Sequence, residues 1–511
     1  MRVFIRENIS KWIAGVGIGL MCISLFITTK LDYVHSDNAW YAITGRALAE
    51  GNILLRDFVG STISHYFPYS AMEGFWSLFF RNYEIVHALS MVSLTVLLGG
   101  VLFLAVQVLL WKRPSIFPIL AFAALIISMS SIELAEAFTH VAPMLCTLSA
   151  ACLYYSKNSS PWVKCGIVAL LACWIDNYNI VYFLIPIVFE NVFYSIKTKK
   201  IDPMAKWVVL GMAVYAIRYM LLKNIGLKVP GATGILERGR TLVHFNELGN
   251  SFSNVYLSLA QLFSANFWGM KLEWAIPGLY FSVAMFLAIY LQAKYSIQIY
   301  KEKSSDKNRF MIFLLLGSVF VLGTELFSKI EKTPRYLAGF FINGLIILGY
   351  WLNTKWPTGK KLGVLFVVTF LVSIIYQTTH GRYRMNPKLK ERQEIAKIIR
   401  AENLNNGYAW FGNALSTNFV LNEQRIATIS YKPHAPMLWL VDKKTFYRPG
   451  KFDFLIAWKD EQQDEWSEYD WNNQEIRDFF GDPKKTIEVG RARIYVYDDI
   501  TDKVEKPKLD S

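Results

Sequence analysis

The sequence predicts a polytopic α-helical membrane protein of about 11 transmembrane helices with a small α/β domain at its C-terminal end. Three observations predict it. The 511 residues are 53% hydrophobic and 18% charged, against roughly 25% charged in an ordinary soluble domain. The charge is uneven: residues 1–385 hold 34 Lys and Arg against 19 Asp and Glu, whereas 386–511 hold 20 against 21. The apolar residues of the first part gather into stretches near the ~20 residues that span a bilayer. A soluble enzyme is therefore excluded. The net charge of +14 lies entirely in the apolar part, so it reports on loops and lipid rather than on nucleic acid, and no nucleic-acid partner is expected. Cys22, Cys146, Cys152, Cys165 and Cys173 all sit in apolar stretches without a Cys-x-x-Cys or Cys/His pattern, so neither a metal centre nor a disulfide framework is expected.

Taken in order, the candidate spans lie near 12–29, 85–110, 115–131, 138–156, 162–175, 178–196, 205–222, 274–293, 310–326, 336–353 and 362–379. The fifth is short and runs into Asp176-Asn177, which makes it a candidate half of a helical hairpin with the sixth. Lys30-Leu31-Asp32 follows the first span where a secretory signal would need small residues, so that span is read as an anchor. With the N-terminus cytoplasmic, one side collects Arg2, Arg6 and Lys11, then Lys112/Arg113, Lys157/Lys164, Lys197 to Lys200, the basic run Lys294 to Arg309, and Lys355 to Lys361. Every inner loop is basic, as expected for the cytoplasmic side, and a bacterial plasma membrane is the expected location. The opposite side receives the long segments 30–84 and 223–273, the short 327–335, and the charged tail. Arg218, inside the seventh span, is expected to snorkel to the headgroups.

The segment 30–84 is too long for a plain connection. Ser36 or Asp37 is placed to cap a helix from Asn38 to about Glu50, with Gly51 as its stop. Ala39, Ile43 and Ala47 recur on one face of that helix beside Trp40 and Tyr41, a pattern suited to a membrane surface. Pro68 to Tyr83 reads as a second aromatic helix. A loop with two interfacial helices builds a lid or a floor.

Asp37-Asn38-Ala39-Trp40-Tyr41, Ala47 to Gly51, His65-Tyr66-Phe67-Pro68 and Gly74 to Phe80 follow the first span in an order that resembles the GT-C superfamily of polytopic glycosyltransferases. The nearest comparison is the family 39-like type of protein O-mannosyltransferases and aminoarabinose transferases. Thr333-Pro334-Arg335-Tyr336-Leu337 before a late span agrees with it, and many family 39 members carry Asp-Glu where this chain has Asp37-Asn38. The resemblance covers residues 1–385, with 386–511 as an extracytoplasmic domain. It implies transfer of a sugar from a polyprenyl-phosphate donor to an envelope glycan, lipid or protein acceptor outside the cytoplasm.

Such chemistry needs a base for the acceptor proton and cations for the leaving phosphate. The resemblance makes Asp37 the base; the alternative is a helix N-cap. Arg335 is the best phosphate cation because its planar fork matches phosphate oxygens, with Lys332, Lys329, Arg240 and Arg238 as further candidates; an interface anchor is the other reading of Arg335. His65, Tyr66, Glu136 and His140 are assigned to the acceptor, Glu136 and His140 sharing a face at i, i+4, or else forming a solvated helix entry. No cofactor or metal is required, although one carboxylate and one His could join a divalent site completed elsewhere.

From Asn386 a polar helix over Lys388–Glu402 precedes short apolar runs at Tyr408–Phe411, Phe452–Trp458 and Ile494–Tyr497, as in a small α/β domain. His434 stands alone without a triad partner, so this part reads as acceptor-recognising or stabilising; the last dozen residues read as disordered. Two other functions compete, a flippase for a lipid-linked substrate and a non-catalytic envelope assembly protein. The first would show inverted repeats and midplane charge pairs, neither of which the sequence displays.

Overall fold

The computed structural model describes residues 2–52, 58–59, 63–115, 132–156, 160, 163–164, 180–201, 205–224, 241–265, 271–301, 306–329, 334–356, 359–429, 436–437, 441–458 and 473–509. Its elements in order are α1 (Arg2–Leu31), α2 (Ser36–Ala49), β1 (Phe58–Val59), α3 (Ile63–Ser77), α4 (Tyr83–Leu110), α5 (Ile132–Tyr155), α6 (Ile185–Thr198), α7 (Ala205–Asn224), α8 (Leu248–Leu262), α9 (Leu272–Lys301), α10 (Asp306–Phe327), α11 (Ala338–Lys355) and α12 (Gly359–Thr379). A π-helical turn, Ile180–Leu184, opens α6. Among the described residues six helices are long and apolar enough to cross a membrane, or seven if α1 and α2 count together across a bend of 106°. The chain is an integral membrane protein. The expected spans at 115–131 and 162–175 lie almost wholly outside the described residues.

Helix α11 is the centre of the bundle. Every residue from Ala338 to Leu348 is buried, the signature of a helix apolar all round. Its one strongly polar member there, Asn343, is satisfied: it accepts from the Tyr182 hydroxyl at 2.9 Å and donates to the Leu314 carbonyl at 2.8 Å. A second buried knot joins α6 to α10, where Arg309 donates to Glu190 through Nε at 2.6 Å and through Nη2 at 2.9 Å. The Tyr155 hydroxyl and the Asn191 amide, each at 3.2 Å, also donate to Glu190. Arg309, read from the sequence as one more charge of a basic loop, is thus the half-buried partner of a buried carboxylate.

Three expectations for the first connection are corrected. Helix α2 does not lie on a membrane surface: Asn38 through Gly45 and Ala47 are all buried, because α3 covers one side and the C-terminal part of the chain another. Helices α2 and α3 approach so closely at Gly45 that a Cβ there would sit 2.5 Å from Cβ of Glu73 and 2.8 Å from the Gly74 nitrogen. Neither Ser36 nor Asp37 is the cap. The helix starts at Ser36, His35 holds the extended cap position (φ −63°, ψ 159°), and Asp37 stands in the first turn. The second aromatic helix runs earlier than expected, over Ile63–Ser77. It stops there because Asn82 starts α4, its side chain accepting from the Ile85 N–H at 3.1 Å.

Past α12 the chain forms α13 (Pro387–Ala401), β2 (Asn406–Trp410), α14 (Phe411–Leu421), β3 (Ile426–Ile429), β4 (Val441–Asp442), β5 (Phe452–Trp458), α15 (Asn473–Phe480), β6 (Lys485–Val489) and β7 (Ala492–Val496). Five strands make a mixed sheet in the order β3-β2-β5-β7-β6, with β2 parallel to both neighbours and the β5-β7-β6 side antiparallel. The period of two divides β5 between two cores: Phe454, Ile456 and Trp458 pack with Ile395 and Ile399 of α13, and Leu455 and Ala457 with Ile476 and Phe480 of α15. The remaining strand, β4, pairs antiparallel with β1 of the first connection. The tail expected to be disordered packs instead. Ile500 and Val504 are buried, and the Tyr447 hydroxyl donates to the Pro507 carbonyl at 2.8 Å, because these apolar residues cover the α15 face of the sheet.

Candidate active site

The site is built on the elbow between α1 and α2. Helix α1 ends at Leu31, whose carbonyl accepts from the Asn386 N–H at 2.8 Å. Asp32 then fixes the turn, its carboxylate accepting from the Tyr33 N–H at 2.9 Å and the Asn386 side chain at 2.8 Å. The chain swings through 106° and brings Asp37, half-buried, into the first turn of α2. A carboxylate there faces the positive end of the helix dipole. Beside it Asn38 is 1% exposed, and neither amide atom has a hydrogen-bond partner among the described residues. Burying such an amide unpaired costs about 1–3 kcal/mol, so this turn concentrates unmet polarity next to the carboxylate.

The floor beneath the elbow is α3. Thr44 and Ser70 hydroxyls pair at 2.8 Å, the Tyr41 and Tyr69 rings meet edge to face at 4.8 Å, and Trp76 Nε1 donates to Ser93 at 3.0 Å. Between α3 and α4 lies a buried pair that sequence reasoning passed over, Glu73 Oε1 at 2.9 Å from His87 Nδ1. Burial, with the Glu73 carboxylate beside it, pushes the Tyr69 phenol well above its ordinary range, so Tyr69 stays a hydrogen-bond donor. The available signal was an acid in an aromatic helix and a histidine in a span, both costly unless paired.

The roof comes from the C-terminal part of the chain. Arg46 of α2 lies 3.5 Å from the Tyr83 ring centroid and donates to Asn422 Oδ1 at 2.8 Å. The same oxygen accepts from the Tyr83 N–H at 3.0 Å, and Tyr83 stacks on Phe419 at 5.8 Å. Gly412, at the start of α14, packs near Ser36. Arg392 of α13 is buried over the Trp458 ring at 4.0 Å and donates to Ser416 and Asn413. Nothing local in the sequence marks these contacts.

Arg335 occupies a 3-10 turn, Pro334–Leu337, that leads into α11; it is half-buried, its guanidinium 5.0 Å from the Tyr336 ring centroid. The strand-like piece before α8 steadies the preceding segment: Val243 N–H donates to the Phe327 carbonyl at 2.9 Å and Lys329 N–H to the Thr241 carbonyl at 2.7 Å. The Lys329 ammonium lies 3.9 Å from Glu247. Glu136 and His140 fall on the backbone of α5, and His65 and Tyr66 on the first turn of α3; their side chains, like Arg218, lie outside the described detail. Lys332, Arg240, Arg238, Asp176 and His434 lie outside the described residues. What the topology brings together is clear even so. Helices α2 and α3 and the Arg335 turn all pack against α5, the helix whose backbone bears Glu136 and His140. Among the described residues no group of three or more His, Cys, Asp and Glu side chains is arranged to hold a metal ion.

No family model and no curated protein sequence matches the chain. Solved structures do. The crystal structure of ArnT from Cupriavidus metallidurans bound to undecaprenyl phosphate superposes with a TM-score of 0.56 at 12% identity, covering 98% of this chain and 100% of ArnT. The chain has an ArnT-like fold. The apo form of ArnT gives a TM-score of 0.55 at 11% identity over the same shares of the two chains. ArnT is a GT-C glycosyltransferase, an aminoarabinose transferase, the class that the residues around Asp37 resemble. At this identity the likeness to ArnT establishes the fold. The ArnT-like coverage extends through the C-terminal sheet as well as the bundle, since 98% of the chain is included.

Proposed function

We propose that the chain is a membrane glycosyltransferase that moves a sugar from a polyprenyl-phosphate donor to a cell-envelope acceptor on the extracytoplasmic face. The observation that carries this reading is the half-buried Asp37 at the α1–α2 elbow of a fold shared with ArnT, whose crystal structure holds undecaprenyl phosphate. Asp37 takes the acceptor proton as the nucleophile attacks the anomeric carbon from the face opposite the phosphate, inverting that centre. Arg335 receives the leaving phosphate, where a planar fork stabilises the developing charge. The α5 residues Glu136 and His140, with His65 and Tyr66 of α3, orient the acceptor. Asn38, in place of an acid, contributes hydrogen bonds and leaves proton transfer to Asp37. The part of the chain after Asn386 roofs the elbow and selects the acceptor.

The orientation is supported by how contacts segregate. The segments assigned outside touch one another: β1 pairs with β4, Asp32 holds Asn386, and Leu242 bridges Ser328. Segments assigned inside do likewise, with Ser115 N–H donating to Asn353 at 2.7 Å and Lys197 to the Ile299 carbonyl at 2.9 Å. Cysteines introduced at Lys30, Gly231 and Ser511 should react with an impermeant reagent added outside intact cells, and those at Lys112 and Lys303 should not. Labelling of Ser511 only after lysis would reverse the assignment of the site to the outer face.

The donor assignment is tested by Arg335→Lys. A lysine keeps the charge and loses the two-pronged contact, so affinity for undecaprenyl phosphate, measured by calorimetry on the purified chain, should fall about tenfold. Wild-type affinity in the lysine variant would leave Arg335 as an interface anchor.

A further inference from the structure

Away from the elbow, α1 and α12 touch where the Phe366 ring closes on Gly17 and packs with Met21 and Leu25. A groove of about 290 Å³ opens between the same two helices. Its walls are Leu20, Ile23 and Ile27 of α1 and Phe370 and Ile374 of α12. Four of these five, all but Phe370, are exposed large apolar side chains, so within a bilayer they face hydrocarbon. The groove is not apolar throughout. Ser24 donates to Gln377 Oε1 at 2.6 Å, the Tyr383 hydroxyl lies 2.9 Å from Ser24, and Gln377 is only 2% exposed.

Tyr383 follows the end of α12, so this hydroxyl mouth sits at the level where the chain leaves the bundle. Two arginines flank Tyr383 in the chain, Arg382, half-buried, and Arg384, exposed. Asp32, just past the end of α1, is engaged by Asn386 and by Arg382 at 3.8 Å. An apolar trough ending in hydroxyl groups under a cationic rim complements a molecule with a hydrocarbon chain and an anionic head. We infer that the groove between α1 and α12 is a binding site for one anionic glycerophospholipid, an acyl chain lying along Ile23 and Ile374 and the phosphate at Tyr383 and Arg384. Because α1 leads into the elbow, the lipid braces the helix that precedes Asp37 and α2.

The test uses the full chain exchanged into nanodiscs of phosphatidylglycerol or phosphatidylcholine with identical acyl chains, followed by native mass spectrometry. One phosphatidylglycerol should stay with each chain, with at least a tenfold preference over phosphatidylcholine. Ile23→Trp fills the groove and should remove the retained lipid; Ile374→Trp, from the opposite wall, serves if the first variant does not fold. Arg384→Gln should reduce the preference about tenfold while lipid is still retained. Equal retention of both lipids, or undiminished retention in a folded tryptophan variant, would overturn the inference. So would one-for-one displacement by added undecaprenyl phosphate, which would make the groove part of the donor path.

Discussion

Replacing Asp37 by asparagine should lower glycosyl transfer by roughly 10²–10⁴-fold, the usual worth of a general base, while the protein melts almost where the wild type does. Size and hydrogen-bonding capacity survive the change; basicity does not. The structure sharpens the comparison, because Asp37 is a first-turn residue and not the helix cap. Among the described residues the stability at stake is its attraction to the helix dipole, about 0.3–1 kcal/mol. Transfer from a purified polyprenyl-phosphate sugar and the melting temperature should be measured together for wild type and Asp37→Asn. Full transfer by a normally melting variant would remove Asp37 from catalysis and leave it as a first-turn residue of α2.

The largest effect on stability is expected at Arg309. Arg309→Met should cost about 3–5 kcal/mol, because it strands a buried carboxylate that now receives two short charge-assisted hydrogen bonds. The double variant Glu190→Gln/Arg309→Met should recover most of that loss: the glutamine is uncharged and still accepts from Tyr155 and Asn191, which lie 3.2 Å from Glu190. Melting curves of the three proteins in one detergent decide the matter. If the single variant is as stable as the double, the carboxylate is protonated or solvated and the pair is not what joins α6 to α10.

Much of this was legible in the chain itself, for a definite reason. The spans that became α4, α9, α10, α11 and α12 announce themselves by apolar length alone. The helix α13 and the strands β2, β5 and β7 announce themselves by periodicity and by the Gly, Asn and Pro between them. The position of Asp37 next to the first span followed from the order of residues. These properties are local, and neither hydropathy nor helical period requires knowing what a segment will touch.

The errors fall where the answer depended on a distant segment. Ala39, Ile43 and Ala47 do form one apolar face of α2, but the sequence could not say that the other faces would be covered too. That was decided by α14, more than 350 residues along the chain, whose Asn422 closes on Arg46 and Tyr83. The same holds for the buried Glu190 and its partner Arg309, 119 residues apart, and for the tail that packs through Ile500 and Val504. The sequence determined that this is a membrane bundle with an acid at the foot of its first span and a polar α/β segment at its end, because bilayer length and backbone periodicity are written residue by residue. Only the tertiary structure decided which polar groups are paired, which helix is buried and which elements pack on α5, because a buried charge or an apolar face is stable only beside a partner that chain topology must deliver.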